Sequence, residues 1–308
     1  MGRSMIVVFV SAQTLLVVLE LWDLFQRERL RRANSGTESR RRPAIGRRTF
    51  LFLFVVTGVF FLIQVTGSWL SPGALDIFDW VRQRLGDDPS HKHVALLSGP
   101  GGVVAGLLLF YIAGFWDYVV HRYFSHSRWF WATHEYHHLP RRVSIVMPGI
   151  LTRPFAFVPM ILSTFATAAT VYVPCVALEE PLWDIRPLLP CLLFIVFVLT
   201  ASHSSFLRRF HGVHQWVRWT TITTPHEHLL HHAVELQGNF GNFTTLWDRV
   251  FGTYIDPVDF ELEHVKLGLG YDQDFLGTIT FGKLKLPRSV RDRYQVGKFC
   301  NIDETRLS

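Results

Sequence analysis

Histidines in this sequence are concentrated in a few short stretches. Residues 121–138 (HRYFSHSRWFWATHEYHH) hold five of the chain's 15 histidines and end in an H-x-x-H-H pattern, which returns at residues 228–232. On a helix this spacing turns all three imidazoles of each box towards one face. Histidines that serve only hydrogen bonds are the alternative. Two boxes, with a further pair at 121 and 126, favour a metal site.

The number of histidines indicates how many ions such a site would hold. The boxes and the preceding pair give eight imidazoles, and His203, at the end of an apolar run, is a plausible ninth. One ion takes about four to six ligands, so this set predicts two ions. Imidazole binds zinc, iron, copper or nickel, so histidine alone does not choose the metal. The predicted ligands are His121, His126, His134, His137, His138, His203, His228, His231 and His232.

Spacing also gives expectations about individual side chains. His121 and His126 are five residues apart, roughly 140° around an ideal helix, which predicts that they serve different ions. Three acids lie in or beside the boxes: Asp117, Glu135 and Glu227. A carboxylate that accepts the far ring proton of a ligating histidine fixes its orientation. Solvated charge at a membrane surface is the alternative for these acids.

Two further histidines lie between the boxes, in RRFHGVHQWVRW. The arginines and tryptophans around His211 and His214 favour a helix that lies on a membrane surface. Either histidine could instead supply a tenth ligand. His226 precedes the third box by two residues and therefore points elsewhere on a helix.

Composition predicts an all-α membrane protein. The chain has 308 residues, 49% hydrophobic and only 18% charged, too apolar for an ordinary soluble protein. Its long apolar runs predict about four or five spans. The first run is followed by no small-residue cleavage site and so predicts an uncleaved helix, although Glu20 and Asp23 weaken its end. The runs cover residues 5–25, 49–70, 94–120, 155–178 and 187–202.

Charge and cysteine content exclude other classes. The net charge of +6 is concentrated in nine arginines within residues 27–48, which fits a cytosolic loop of a membrane protein better than nucleic-acid binding. The three cysteines, Cys175, Cys191 and Cys300, are far apart and form no metal spacing, redox motif or disulfide framework.

The predicted membrane topology places the histidine segments on the same side of the membrane, and it does so without using the histidine pattern. If the arginine-rich loop is cytosolic, the successive spans place residues 121–138 and everything from His203 onward on the cytosolic side. We therefore expect N-terminal anchor helices at 1–93, a His-rich helical domain at 94–256, and a cytosolic C-terminal tail at 257–308.

The boxes and their flanking motifs resemble the fatty acid hydroxylase superfamily, whose membrane enzymes include sterol desaturases and C4-methylsterol oxidases. The resemblance covers about residues 100–256. The first box has the longer H-x4-H spacing, which the fatty acid 2-hydroxylase branch also uses. The matching segments are His121-Arg122 with His126, His134-x-x-His137-His138, Pro225-x-x-His228-x-x-His231-His232, Asn239-Phe-Gly241 and Trp247-Asp-Arg-Val-Phe-Gly-Thr253, the last being similar to the family's WDRLFGT ending.

The resemblance implies a site of two non-haem iron ions, replaceable by zinc on isolation, at the cytosolic face of the endoplasmic reticulum. It implies hydroxylation of a C–H bond of a sterol or fatty acyl lipid by O2. Electrons would come from NAD(P)H through a reductase and a separate haem carrier, because no haem domain is fused here. We expect Trp247–Arg249 to close the site rather than bind metal.

Three other functions remain open at this point. A lipid or sterol desaturase would use the same ligands. A membrane metal-binding or transport protein would need ionisable residues within its spans, and spans two to five carry almost none before their ends. A non-catalytic relative would have degenerate boxes, whereas the three boxes here are intact.

Overall fold

The computed structural model of the chain describes 2–34, 73–86, 99–138, 143–145, 157–180, 182–268 and Pro287. The predicted span at 49–70, most of the arginine-rich loop and nearly all of the tail beyond 268 lie outside the described residues. Within these ranges the chain is mostly helical and contains no strand, only two isolated bridges. The prediction of an all-α fold is confirmed.

Nine α-helices lie in the described ranges. In chain order, α1 to α9 are Gly2–Asn34, Ala74–Arg84, Gly99–Val119, Trp131–His138, Phe157–Ala177, Leu189–Ala201, His211–Val217, Pro225–His231 and Leu246–Val250. The third continues directly into a π-helix at Val120–Ser125.

Three of these described helices are long and apolar enough to cross a membrane, at Ser4–Arg27, Pro100–Ser125 and Val158–Ala177. They correspond to the first, third and fourth apolar runs. The fifth run forms a shorter apolar helical segment, Arg186–Ala201. Helix α3 keeps large apolar side chains such as Val103 and Leu107 exposed, which is the surface that a lipid environment covers.

The long helices pack through two apolar clusters. Helix α2 lies against α5, where the rings of Phe78 and Tyr172 meet edge to face with centroids 5.8 Å apart. Phe110 of α3 packs against Val198 of α6 and Phe243. These contacts hold α3 and α6 side by side, so that the ends of both helices supply histidines to one region.

The short helices after His203 are fixed to the end of α3. The indole Nε1 of Trp247 donates to the carbonyl oxygen of Tyr111 at 2.9 Å. Gly114 allows this close approach, because a Cβ there would lie 2.3 Å from Cγ2 of Thr244. The segment that carries the third histidine box therefore sits directly on the membrane helix that carries the first.

Candidate metal centre

All nine predicted ligands gather into two groups, in each of which one ligand atom per residue lies within 4.8 Å of all the others. The five-histidine cluster consists of His121, His126, His134, His138 and His231. The four-histidine cluster consists of His137, His203, His228 and His232. Eight of the nine residues are buried, His126 being partly buried.

The two clusters adjoin each other. The ring centroids of His138 and His232, which belong to different clusters, lie 4.5 Å apart, and those of His134 and His137 lie 5.3 Å apart. The nine side chains therefore form one continuous region with two centres, as a dinuclear site requires.

His121 and His126 lie in the same cluster, so the prediction that they serve different ions is wrong. The reason is the π-helix at Val120–Ser125, where the backbone N–H of His126 donates to the carbonyl oxygen of His121 at 3.1 Å. In this wider turn residues five apart lie nearly one above the other. Both imidazoles therefore face the same centre.

Each H-x-x-H-H box is divided between the clusters. In α4 the outer pair, His134 and His138, joins the five-histidine cluster while His137 joins the other. In the third box, formed by α8 and its C-cap residue His232, the outer pair at 228 and 232 joins the four-histidine cluster and His231 joins the other. In an H-x-x-H-H box the last histidine lies about 40° around the helix axis from the first. The middle histidine lies about 60° from the first in the opposite direction, so one helix face serves two centres.

In the four-histidine cluster the Nε2 atoms converge. The Nε2 of His228 lies 2.8 Å from that of His203 and 3.1 Å from that of His232. The Nε2 atoms of His203 and His137 are 3.4 Å apart. With metal–nitrogen bonds of about 2.1 Å, neighbouring ligand nitrogens around one ion lie about 3.0–3.4 Å apart in octahedral or tetrahedral geometry.

The five-histidine cluster has the same spacing. The Nε2 of His134 lies 3.0 Å from that of His121 and 2.9 Å from that of His138. These three nitrogens surround a shared point that has room for a cation. They cannot all be paired by hydrogen bonds with one another, because a neutral imidazole has only one N–H. Both clusters thus fit metal ions.

Burial keeps these imidazoles neutral. The pKa values of His138, His228 and His232 are lowered well below the ordinary histidine value, first by burial and then by the neighbouring histidines. The neutral ring is the form that binds a metal. The clusters are therefore poised to bind cations without a prior loss of protons at neutral pH.

Backbone carbonyl oxygens orient three of the rings. The Nδ1 of His121 lies 2.5 Å from the carbonyl oxygen of Phe240, and that of His231 lies 3.1 Å from that of Gly238. The Nδ1 of His203 lies 2.9 Å from the carbonyl oxygen of Leu199. Donation from Nδ1–H to these oxygens leaves Nε2 as the ligating atom.

Residues 238–241 form a tight loop, here called the carbonyl loop, which is held by Asp248. One carboxylate oxygen accepts from the backbone N–H of Phe240 at 2.7 Å and the other from that of Gly241 at 2.8 Å. The hydroxyl of Thr253 also donates to it, at 2.8 Å. Burial raises the pKa of Asp248 to about 6, against the lowering effect of these donors.

The sequence Gly-Asn-Phe-Gly suits this loop at each end. Asn239 has a positive φ of 52°, which asparagine tolerates, and its side chain donates to the carbonyl oxygen of Ile255 at 3.0 Å. A Cβ on Gly241 would lie 2.0 Å from the carbonyl oxygen of Thr244. The motif after the third box thus shapes a loop that orients His121 and His231, and Asp248 of the Trp247–Arg249 segment holds this loop.

Two of the three acids predicted to orient histidines make hydrogen bonds with other groups. Glu227 caps α8, accepting from the backbone N–H of Thr224 at 2.7 Å, and accepts from the hydroxyl of Tyr254 at 3.1 Å. Asp117 accepts from the side-chain amide of Asn242 at 2.9 Å, at the end of the carbonyl loop. Glu135 is buried on α4. Sequence reasoning missed the carbonyl oxygens because backbone atoms leave no signature in residue types.

His211 and His214 belong to neither cluster in the described structure. His214 is buried, stacks on His226 with centroids 4.5 Å apart, and its Nδ1 lies 2.7 Å from the hydroxyl of Thr224. The Nε2 of His226 lies 3.0 Å from the Nδ1 of His211. Burial lowers the pKa of His214 to about 4 and that of His226 to about 3. These rings join α7 to α8.

Comparison with known proteins agrees with this arrangement. A protein named fatty acid hydroxylase vlmA, from a Lecanicillium species, is 27% identical over 167 residues, which cover 51% of this chain and 43% of that protein. The chain thus matches less than half of this relative's length. No solved structure matches the chain significantly. The sequence profile of the family described as fatty acid hydroxylase matches residues 106–253, which span every histidine of both clusters. Residues 106–253 are therefore similar to the fatty acid hydroxylase family, in agreement with the resemblance of the histidine boxes.

Proposed function

We propose that this protein is a membrane lipid oxidase that hydroxylates a C–H bond of a sterol or fatty acyl lipid. The observation that carries the proposal is the convergence of nine imidazoles, eight of them buried, into two adjoining clusters. These lie where apolar helices α3 and α6 end. The family match supports the same reaction class.

In this proposal the five-histidine cluster holds one ion and the four-histidine cluster the other, all nine histidines being ligands. Iron is the metal we propose, because bound iron supplies the activation of O2 that side chains alone cannot. In the overall reaction one oxygen atom enters the C–H bond and the other leaves as water. Two electrons and two protons complete the balance, the electrons coming from NAD(P)H.

The chain's own contribution is to orient the ligands and to exclude water. The carbonyl loop fixes two histidines of the five-histidine cluster. The ring of Phe240 lies 5.2 Å from that of His126, and the ring of Trp131 lies 5.4 Å from that of His138. These apolar walls limit the access of water to the centre, which protects a reactive site from side reactions.

The lipid class follows from where the clusters lie. Helices α1, α3 and α5 are apolar enough to lie in a bilayer, so a lipid can reach the histidines from the side without crossing water. The substrate we propose is therefore a membrane lipid, a sterol or a fatty acyl chain, rather than a soluble metabolite.

Location and partners complete the proposal. The arginine-rich loop favours a site that faces the cytosol, and we propose the endoplasmic reticulum membrane. A separate haem electron carrier and its reductase would deliver the electrons. Residues 94–256 would form the catalytic domain, with anchor helices at 1–93 and a cytosolic tail at 257–308.

The test is lipid profiling by mass spectrometry in a host membrane that contains a haem carrier and reductase. The wild type is compared with a His137→Ala/His231→Ala double variant, which removes one ligand from each cluster. The matched control is His264→Ala, because that histidine is exposed and lies outside both clusters.

We expect the wild type and the control to produce a lipid with one added oxygen atom that the double variant lacks. A product that has instead lost two hydrogen atoms would identify a desaturase. An unchanged lipid profile in the wild type, with O2 and both electron partners present, would contradict the proposal.

A further inference from the structure

Helix α1 carries a fully buried acid close to the metal centre. Glu20 lies in the apolar segment Ser4–Arg27 and has no exposed surface. An acid in such a segment is costly unless it is paired or hydrogen-bonded, and it therefore points to a specific role. The spacing of apolar residues predicted only that this acid weakens the end of a span.

Four donors surround the carboxylate of Glu20. Its Oε1 accepts from the hydroxyl of Ser144 at 2.5 Å and from the backbone N–H of Ser205 at 3.0 Å. Its Oε2 accepts from the hydroxyl of Ser204 at 2.9 Å and from the backbone N–H of Phe206 at 3.0 Å. A carboxylate only accepts, so it matches this set of donors.

Three of these donors directly follow a ligand of the four-histidine cluster, because Ser204, Ser205 and Phe206 come next after His203. The fourth donor, Ser144, lies six residues after His138, which ends α4 and belongs to the five-histidine cluster. Glu20 is thus the common point that joins the segments after His138 and His203 to the N-terminal helix. Nearby on α1, Asp23 accepts from the hydroxyl of Ser205 at 3.2 Å.

We propose that Glu20 is a positioning residue for the four-histidine cluster, fixing the segment that sets the place of His203. The inference rests on the proposed metal site. It makes the N-terminal helix part of that site rather than a membrane anchor alone, although the family match begins only at residue 106.

Glu20→Gln gives a sharp test because each carboxylate oxygen faces one backbone N–H. In either orientation of the glutamine side chain, its NH2 group faces the backbone N–H of Ser205 or Phe206. A backbone N–H cannot rotate away as a hydroxyl can. A buried donor is then left without an acceptor. Gln13→Leu is the matched control, since Gln13 also joins α1 to α6, but its hydrogen bonds in the described structure go to Val196 and Thr200 rather than to the residues after His203.

In the experiment, purified full-length protein in nanodiscs is loaded with cobalt(II), and the bound ions per chain are counted. A titration followed by visible absorbance gives the affinity for each ion. We expect two ions for the wild type and for Gln13→Leu, and one for His203→Ala. For Glu20→Gln we expect affinity for one ion to fall at least about tenfold, with the other unchanged.

Two unchanged affinities in Glu20→Gln would overturn the inference, as would the same loss in Gln13→Leu. A wild type that binds no cobalt would refute the proposed function itself, and this inference with it. If Glu20→Gln does not fold, Ser144→Ala removes a single donor. We then expect one affinity to fall about three- to tenfold, and two unchanged affinities would again overturn the inference.

Discussion

The two histidine clusters are built from the same pattern but are held in different ways. Two rings of the five-histidine cluster donate to carbonyl oxygens of the carbonyl loop, which Asp248 clamps from the third-box side of the chain. In the four-histidine cluster, His203 donates to the carbonyl oxygen of Leu199 in the last turn of α6, and the segment after His203 is bound by Glu20 of the N-terminal helix. The loop that orients the first cluster is thus fixed by local hydrogen bonds to Asp248, whereas the segment after His203 is fixed by a residue far away in the sequence.

The difference indicates which changes each centre will tolerate. A loop fixed by short-range hydrogen bonds forms when the segment after the third box folds, whereas the Glu20 contacts join residues more than 120 positions apart. We therefore expect separate sets of substitutions to weaken the two centres. Each prediction below either separates the clusters or couples them.

The largest effect is expected from removing one ligand from either cluster. His134→Ala disrupts the five-histidine cluster and His228→Ala the four-histidine cluster. Because the proposed reaction needs both ions, each substitution should lower lipid oxidation by at least about 10³-fold. Product formation by mass spectrometry is the measurement. If one variant keeps more than a tenth of wild-type activity, the two clusters are not equally required.

Asp248→Asn should weaken the five-histidine cluster selectively. The two carboxylate oxygens each accept a backbone N–H, so the amide NH2 must oppose one of them. The carbonyl loop should shift, and one metal affinity should fall about 10- to 100-fold. Metal titration checks this, with Asp259→Asn, in a surface turn, as the control. Equal weakening of both ions would contradict the selectivity.

His211, His214 and His226, which join α7 to α8, lie outside both clusters. The response of His214 to pH can therefore be separated from that of the proposed metal ligands. Its folded pKa of about 4 is below the unfolded value of about 6.5, so the unfolded state binds more protons between these values. Stability is therefore full above about pH 6.5 and is lost as pH falls towards about 4.

His214→Phe keeps a ring against His226 but cannot be protonated. We expect its Tm to fall several degrees less than that of the wild type between pH 6.5 and pH 4.5. Thermal unfolding of the metal-free proteins measures this. Parallel curves for the two proteins would mean that the acid sensitivity arises in the clusters instead.

The smallest effect is expected for Thr253→Val. Its hydroxyl donates to Asp248 at 2.8 Å and lies 3.1 Å from the hydroxyl of Tyr118. Asp248 keeps its two backbone donors, so the loss should be about 1 kcal/mol, a few-fold in the affinity of the five-histidine cluster. An effect as large as that of Asp248→Asn would show that the clamp depends on this hydroxyl.

Residue types and spacing were sufficient for much of this molecule. Apolar runs predicted the membrane helices α1, α3 and α5, and the histidine boxes identified all nine side chains that converge. The pairing of His121 with His126 was missed, because the π-helix is a local backbone choice that an ideal period does not contain. The roles of Gly238 and Phe240 could not be read from sequence either, because carbonyl oxygens act whatever the side chain.

Glu20 was missed for another reason. A single acid near the end of an apolar run marks a boundary in a hydropathy pattern, and its partners lie far away in sequence at Ser144 and Ser204–Phe206. Only the fold brings them together. The division of each box between two centres was likewise invisible, since spacing places three imidazoles on one face but does not say how many ions that face serves.

Counting ions per chain tests the central claim most directly. Purified wild type, His134→Ala and His228→Ala would be loaded with iron(II) without oxygen and assayed for metal and protein together. Two independent centres predict two ions for the wild type and one for each variant. One ion in the wild type, or the loss of all metal in both variants, would contradict two separately held centres.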